Sequence, residues 1–268
     1  MFESNAGARV PAALPGRDRI TLVAGLAAVL AIAWVWLLLG SDMGTGGSGH
    51  SMVGMSSRMV QPATWTPAYA ATIFVMWWVM MIAMMLPSAV PTLLLFARIN
   101  RKDRAAEAPL LPTALFGAGY LLAWGAFSVA ATALQAGLDA ARLLSPTMAT
   151  SSRWLGVGIL VAAGIWQLTP LKASCLRHCR TPLSFLMHNW RPGPAGAVLM
   201  GLGHGAYCIG CCWFLMSLLF FGGVMNLYWI LGIATFVLLE KTVPQGHWLG
   251  RIAGVALIVW GAVLAVHP

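Results

Sequence analysis

Apolar stretches of membrane-spanning length recur along this chain, and they restrict its fold more than any other feature. A bilayer core about 30 Å thick needs roughly 20 apolar residues in a helix, so each stretch predicts one span. We place seven spans at residues 20–39, 67–97, 110–134, 154–171, 195–221, 227–239 and 249–266. Charged residues make up only 9% of the chain, against about 25% in a soluble domain. The predicted fold is therefore all-α, a polytopic transmembrane helix bundle of about seven spans.

The sequence predicts one transmembrane domain at residues 20–268, preceded by a polar cytoplasmic leader at residues 1–19. The first apolar stretch is too long for a signal-peptide core and lacks an Ala-x-Ala cleavage pattern, so we expect it to be retained. Residues 40–66 are rich in Met, His and Gly. This composition predicts a flexible external loop.

Positive charge is distributed unevenly between the two ends of the predicted spans. With a cytoplasmic amino terminus, all 16 Lys and Arg residues except Arg58, Arg142 and Arg153 lie on the cytoplasmic side, as the positive-inside rule requires. We therefore predict a multi-pass protein of the bacterial inner (cytoplasmic) membrane. The net charge of +9 follows from this topology, and the sequence contains no phosphate-binding loop, so nucleic acid is not an expected partner.

One predicted span carries a stripe of thiol and imidazole side chains. Polar groups inside a membrane segment usually mark a functional site, and at about 100° per residue these four share one helix face. They are our main candidate metal ligands: His204, Cys208, Cys211 and Cys212. The alternative is that the cysteines serve only as small apolar residues that pack helices.

A second pair of cysteines, Cys175 and Cys179, lies in the connection before that span. Being four residues apart, they share one face of a helical turn and can chelate a soft metal ion. A structural role is the alternative, because zinc knuckles usually have a two-residue gap. On the predicted topology the pair lies at the cytoplasmic mouth, where thiols are kept reduced.

Methionines accumulate in the second predicted span, before Pro87, where we expect a helix kink. Met80 and Met84 share a face and are candidate thioether ligands, although methionines also fill irregular cores. The accessory candidates are Glu240, which could instead pair with Lys241, and Met216, His50, Met52 and Met55.

Thiolate, thioether and imidazole ligands together select soft or borderline metal ions. We therefore expect Cu(I), with zinc as the second choice, since the seven Asp and Glu residues are too few for a hard-cation site. The outer Met/His loop and the inner Cys/His site suggest copper import, or delivery to a membrane metalloenzyme. A metallochaperone and the membrane lipids are the other expected partners.

Four motifs carry a resemblance to a known family: WWVMMIAMMLPS, LKASCLRHCRTP, GLGHGAYCIGCCWFLM and the Glu240-Lys241 pair. From about residue 70 onwards the chain resembles an uncharacterised bacterial family, a domain of unknown function, of predicted metal-binding integral membrane proteins. The resemblance implies a metal site but no substrate or reaction. The residues that it implies are His204, Cys208, Cys211, Cys212, Cys175 and Cys179.

Two other functions stay open at this point. Cys208 and Cys211 have the two-residue gap of redox pairs, which suggests a membrane thiol-disulfide oxidoreductase that passes electrons to quinone. Alternatively, the chain is a non-catalytic subunit of a membrane complex in which Cys and Met only pack helices. We favour a copper-handling protein that is not an enzyme, because the predicted topology places the Cys pairs on the reducing side.

Overall fold

The computed structural model describes residues 16–42, 65–103, 110–145 and 147–267. These ranges contain no strand beyond an isolated bridge between Leu144 and Thr150. Residues 1–15 of the predicted leader (1–19) and most of the loop at 40–66, including His50, Met52 and Met55, lie outside the described residues, whereas residues 16–19 belong to α1. The helices within these ranges are α1 (Gly16–Asp42), α2 (Pro67–Asp103), α3 (Leu110–Ala140), α4 (Arg153–Leu168), α5 (Pro170–Arg180), α6 (Pro182–His188), α7 (Gly193–Gly222), α8 (Leu227–Thr242) and α9 (Gly246–Val266).

The all-α prediction is confirmed, and the described part is compatible with a membrane protein. Five of its helices (α1, α2, α3, α7 and α9) are long and apolar enough to cross a bilayer, and α4 with α5 would make a sixth span, bent by 65°. Each predicted span falls on a helix, but α4 and α8 have only 16 residues each. That is about 24 Å of helix, against an apolar core of about 30 Å. The seven spans and the cytoplasmic amino terminus therefore stay predictions.

The core is built around α3, which packs against both α2 and α7, while α8 packs against α2. The α2 helix continues through Pro87 and Pro91 for 37 residues, and its methionines face the buried centre. On the periphery, α4 packs against α9. The candidate site thus lies among helices that are covered on most sides by protein.

Glycines allow α3 and α7 to approach closely. A Cβ added at Gly201 would overlap the carbonyl oxygen of Phe116, and one at Gly205 would lie 2.5 Å from the Cβ of Ala123. Membrane helices commonly use such small residues to bring their backbones together. The close approach places the aromatic side chains of α3 beside the His/Cys face of α7.

A sharp change of direction separates α4 from α5. The Thr169 side chain accepts a hydrogen bond from the backbone N–H of Lys172 at 3.2 Å, and Pro170 occupies the first turn. Both features are typical of a helix start. As a result α5 begins a new helix that packs against α7 and carries Cys175 and Cys179 with it.

Candidate metal centre

Four of the five cysteines meet where α5 packs on α7, and we call them the thiol cluster: Cys179, Cys208, Cys211 and Cys212. Cys208, Cys211 and Cys212 are buried, and Cys179 is half-buried. Cys211 and Cys212 bond to the carbonyl oxygen of Cys208, and Cys179 interacts electrostatically with Cys208 and Cys211. All four are free thiols, so the cluster offers several sulfur ligands at one buried position.

The local structure of α7 sets the direction of two of these thiols. The Cys211 and Cys212 thiols donate hydrogen bonds to the Cys208 carbonyl oxygen, at 3.1 and 2.8 Å. Short polar side chains in helices often bond to the carbonyl one turn back in this way. Both sulfurs are therefore held on the same side of the helix as Cys208.

The thioether nearest to the cluster belongs to Met85 on α2. Its Sδ lies 3.9 Å from the Cys212 Sγ. Met80 and Met84, the methionines favoured by the sequence pattern, are fully buried in the core, as is Met216 on α7. Met85 is thus the described methionine that accepts a hydrogen bond from a cluster thiol. It adjoins the predicted methionine ligands in the sequence but is not one of them.

Cys208 also has two polar neighbours that the sequence did not suggest. Lys241 on α8 donates to the Cys208 Sγ at 2.9 Å and to the Ser88 Oγ at 3.1 Å. The Tyr120 hydroxyl lies 3.1 Å from the Cys208 Sγ and also reaches the Met85 carbonyl oxygen at 3.1 Å. The sequence does show a lysine and a tyrosine inside apolar segments. Only the packing of α2, α3, α7 and α8 shows that both contact Cys208.

His204 lies one turn before Cys208 on α7 and is only 2% exposed. Its ring is surrounded by the aromatic rings of Phe116, Tyr120 and Phe185, with centroid distances of 6.1, 5.8 and 5.3 Å. Its Nδ1 is buried and has no hydrogen-bond partner in the described structure. Buried polar atoms are nearly always paired, so this nitrogen is a candidate ligand atom that the protein itself does not satisfy.

Glu240 pairs with Lys172, and the expected pair with Lys241 is not formed. The Lys172 ammonium donates to a carboxylate oxygen of Glu240 and to the side-chain oxygen of Gln167. A Cβ at Gly250 would overlap the Glu240 carboxylate, so α9 needs a glycine there. The accessory metal candidate Glu240 is therefore the partner of a buried ammonium.

This ion pair also helps to position α5 beside the cluster. At the other end of α5, Arg180 donates to the carbonyl oxygens of Val243 and Pro244 at 2.7 and 2.6 Å. The two attachments fix α5 to the end of α8. Cys179 thereby joins the cluster, whereas the half-buried Cys175 lies against Gly210, where an added Cβ would be 2.8 Å from its Sγ.

Residues 74–264 match the copper chaperone family PpoB2. The chain belongs to this copper chaperone family. The matched range begins in α2 and includes every residue of the thiol cluster, together with Met85, Tyr120, His204 and Lys241. No curated protein matches the chain, and no solved structure does.

Membership of the copper chaperone family confirms the link to copper that the ligand types predicted. The motifs predicted a family of metal-binding membrane proteins. The match confirms that the family is metal-related and describes its members as copper chaperones. Which residues hold the metal is not tested by the match. The predicted ligands therefore stay predictions, and the structure gives positions for those that lie within the described residues.

The described residues contain no group of three or more His, Cys, Asp or Glu side chains arranged to hold a metal ion as they stand. In the thiol cluster, Cys211 and Cys212 instead share the Cys208 carbonyl oxygen as acceptor, and the Cys208 sulfur contacts Lys241 and Tyr120. Metal binding displaces thiol protons, because the thiolate is the ligand. Two soft sulfur ligands suffice for Cu(I), so loss of these protons would convert a hydrogen-bonded pair of thiols into a ligand pair.

Proposed function

We propose that the protein binds Cu(I) as cargo at the thiol cluster and imports the ion or delivers it to a membrane metalloenzyme. The observation that carries the proposal is the meeting of four free thiols, three of them around Cys208, in a member of a copper chaperone family. Sulfur ligands favour Cu(I) over harder ions. The adjoining thioether of Met85 adds a ligand of the same kind.

The location proposed for this activity is the bacterial inner membrane, with the amino terminus and the thiol cluster on the cytoplasmic side. Two observations support it: five long apolar helices, and a sequence in which 13 of the 16 Lys and Arg residues fall on one side of the predicted spans. A reducing cytoplasm keeps thiols available for metal. Membrane lipids surround the bundle, and a metallochaperone or the metalloenzyme is the proposed partner.

The proposal is tested by copper binding to protein purified anaerobically in detergent. We expect the wild type to hold about one Cu(I) per chain against a chromogenic chelator, and Cys208→Ser to lose it, because Cys208 is the thiol that the others contact. Cys175→Ser is the matched control, since Cys175 lies on α5 like Cys179 but outside the thiol cluster. Equal copper retention by wild type and Cys208→Ser would rule out this centre.

The same experiment separates copper binding from thiol-disulfide oxidoreduction. The oxidoreductase would be supported instead by a copper-free wild type in which Cys208 and Cys211 form a reducible disulfide. Quinone would then oxidise the reduced dithiol back to this disulfide and become quinol. Mass spectrometry after alkylation distinguishes free thiols from that disulfide.

A further inference from the structure

The ammonium of Lys241 is buried beside the thiol cluster without a carboxylate. The side chain is 8% exposed, and its hydrogen-bond partners in the described structure are the Cys208 thiol and the Ser88 hydroxyl. The neighbouring buried carboxylate, Glu240, is occupied by Lys172. A buried charge without an ionic partner is costly, so this placement favours negative charge on the Cys208 sulfur that the ammonium contacts.

We propose that Lys241 is the fixed counter-charge of the metal centre and makes it selective for a monovalent ion. The inference rests on the proposed function, because it names what selects the ion at the same site. When Cu⁺ displaces the protons of two cluster thiols, two protons leave and a bis-thiolate complex of charge −1 forms. The Lys241 ammonium brings the total charge of this buried site to zero.

A divalent ion gives a different charge balance at the same ligands. Two thiolates and Zn²⁺ are neutral by themselves, so the Lys241 ammonium leaves a net charge of +1 inside the protein. A net buried charge is disfavoured. Lys241 therefore favours Cu(I) over divalent ions at these ligands, and the preference acts through the 2.9 Å contact with Cys208.

The expected size of the effect follows from the short distance. At a separation of about 4 Å in a partly desolvated site, the interaction of two unit charges corresponds to roughly two or three factors of ten in an equilibrium constant. Removing the charge is thus expected to change the ratio of Cu(I) to Zn(II) affinities by on the order of 100-fold.

A purely structural role for Lys241 has a different signature. Its hydrogen bonds join α8 to α7 through Cys208 and to α2 through Ser88. If they only held the helices together, substituting Lys241 would weaken binding of both ions alike. The ratio of the two affinities, measured on the same protein preparation, distinguishes selection by charge from support of the fold.

The experiment measures Cu(I) and Zn(II) affinities of the full chain in detergent, with competing chelators under anaerobic conditions. We expect Lys241→Met to lower the Cu(I)/Zn(II) affinity ratio by on the order of 100-fold, as a lost unit charge requires, and Lys241→Arg to retain most of the ratio. Lys241→Gln keeps a hydrogen-bond donor but has no charge, so it should lower the ratio as Lys241→Met does. Because the donor is kept, this variant should disturb the fold less than Lys241→Met.

Arg153→Met serves as the matched control for removing a partly buried cation. Arg153 donates to the carbonyl oxygens of Leu264 and Ala265 at 2.7 and 2.6 Å, at the opposite end of α4 from α5. We expect it to leave the ratio unchanged. An unchanged ratio in Lys241→Met and Lys241→Gln, or equal losses for both ions, overturns the selectivity proposal alone, whereas a wild type that binds no Cu(I) overturns the proposed function as well.

Discussion

At the scale of single residues, His204 combines complete burial with an unpaired ring nitrogen. Three aromatic rings surround it, and no protein group satisfies its Nδ1 in the described structure. An unpaired buried polar atom costs about 1–3 kcal/mol. His204 lies one turn before Cys208 on α7, so ligation of the proposed cargo is a role for this nitrogen that can be tested.

Replacing His204 by leucine should therefore weaken copper binding without weakening the fold. We expect His204→Leu to lower Cu(I) affinity by roughly tenfold, equivalent to about 1.4 kcal/mol, and to leave the melting temperature in detergent unchanged or higher, because the unpaired nitrogen is removed. Chelator competition and thermal unfolding measure the two effects. His188→Leu, at an exposed position on α6, is the control. Wild-type affinity in His204→Leu would assign the imidazole to packing alone.

The sequence could place the His/Cys stripe on one helix face because helical periodicity is a local property. It could not identify Met85, Tyr120 or Lys241 as neighbours of Cys208, since those contacts join residues on four different helices. The methionine pattern accordingly favoured Met80 and Met84, which share the buried face of α2 but are not hydrogen-bonded to the cluster. Contacts between helices depend on how each helix is rotated about its axis and shifted along it. Neither quantity can be read from a single sequence.

At the scale of helices, the close contact between α3 and α7 depends on Gly201. A methyl group there would overlap the Phe116 carbonyl oxygen and lie 3.0 Å from the backbone nitrogen of Tyr120. These are backbone atoms, so neither can move without shifting α3. A shift of α3 would carry the Tyr120 hydroxyl away from the Cys208 thiol.

We expect Gly201→Ala to destabilise the protein by about 1–3 kcal/mol, as overpacking does in cores, and to reduce copper retention. Gly203→Ala is a close control on the same helix, because its added Cβ would lie 3.8 Å from the Phe185 ring, an ordinary contact. An alanine there should be neutral, or stabilising by roughly 0.5–1 kcal/mol through helix propensity. Thermal unfolding compares the two variants, and equal melting temperatures would show that α3 adapts to the extra methyl group.

Most helices could be predicted from hydropathy, since six of the seven predicted spans each fall on one helix and the fourth covers α4 and the start of α5. Their lengths were harder to predict. The fourth predicted span ran to residue 171, but the helix ends at Leu168 because Thr169 and Pro170 start α5. Hydropathy does not reveal this helix end, because the residues around it are apolar. The break at this position is what directs α5 toward the thiol cluster.

At the scale of the whole molecule, the Lys172–Glu240 pair joins parts of the chain that are distant in sequence. Both side chains are 2% exposed, and Gly250 on α9 provides the space that the carboxylate fills. The pair therefore links α5, α8 and α9 around a single buried contact. The sequence suggested Lys241 as an alternative partner for the accessory candidate Glu240, because adjacency is visible in a sequence and long-range pairing is not.

Breaking one half of this pair should cost far more than removing both halves. We expect Lys172→Met to destabilise the protein by about 3–5 kcal/mol, because it leaves a buried carboxylate uncompensated, and Lys172→Met with Glu240→Gln to recover most of that loss. A double-mutant cycle from unfolding in detergent gives the coupling.

The Arg101–Asp18 pair offers a comparison, since its side chains are 41% and 25% exposed. Arg101→Gln should cost no more than roughly 1 kcal/mol.

Additive effects of the two substitutions at Lys172 and Glu240 would mean that the pair does not act as a unit.

The shared acceptor of Cys211 and Cys212 has a consequence of its own. Both thiols donate to the Cys208 carbonyl oxygen, and ionisation of either thiol removes one of these donors. A carbonyl that loses hydrogen bonds stiffens, so its amide I vibration moves to higher frequency. Infrared spectroscopy of an isotope-labelled carbonyl at Cys208 would therefore detect binding and release of the proposed cargo. The signal would not depend on which partner supplies or receives the cargo.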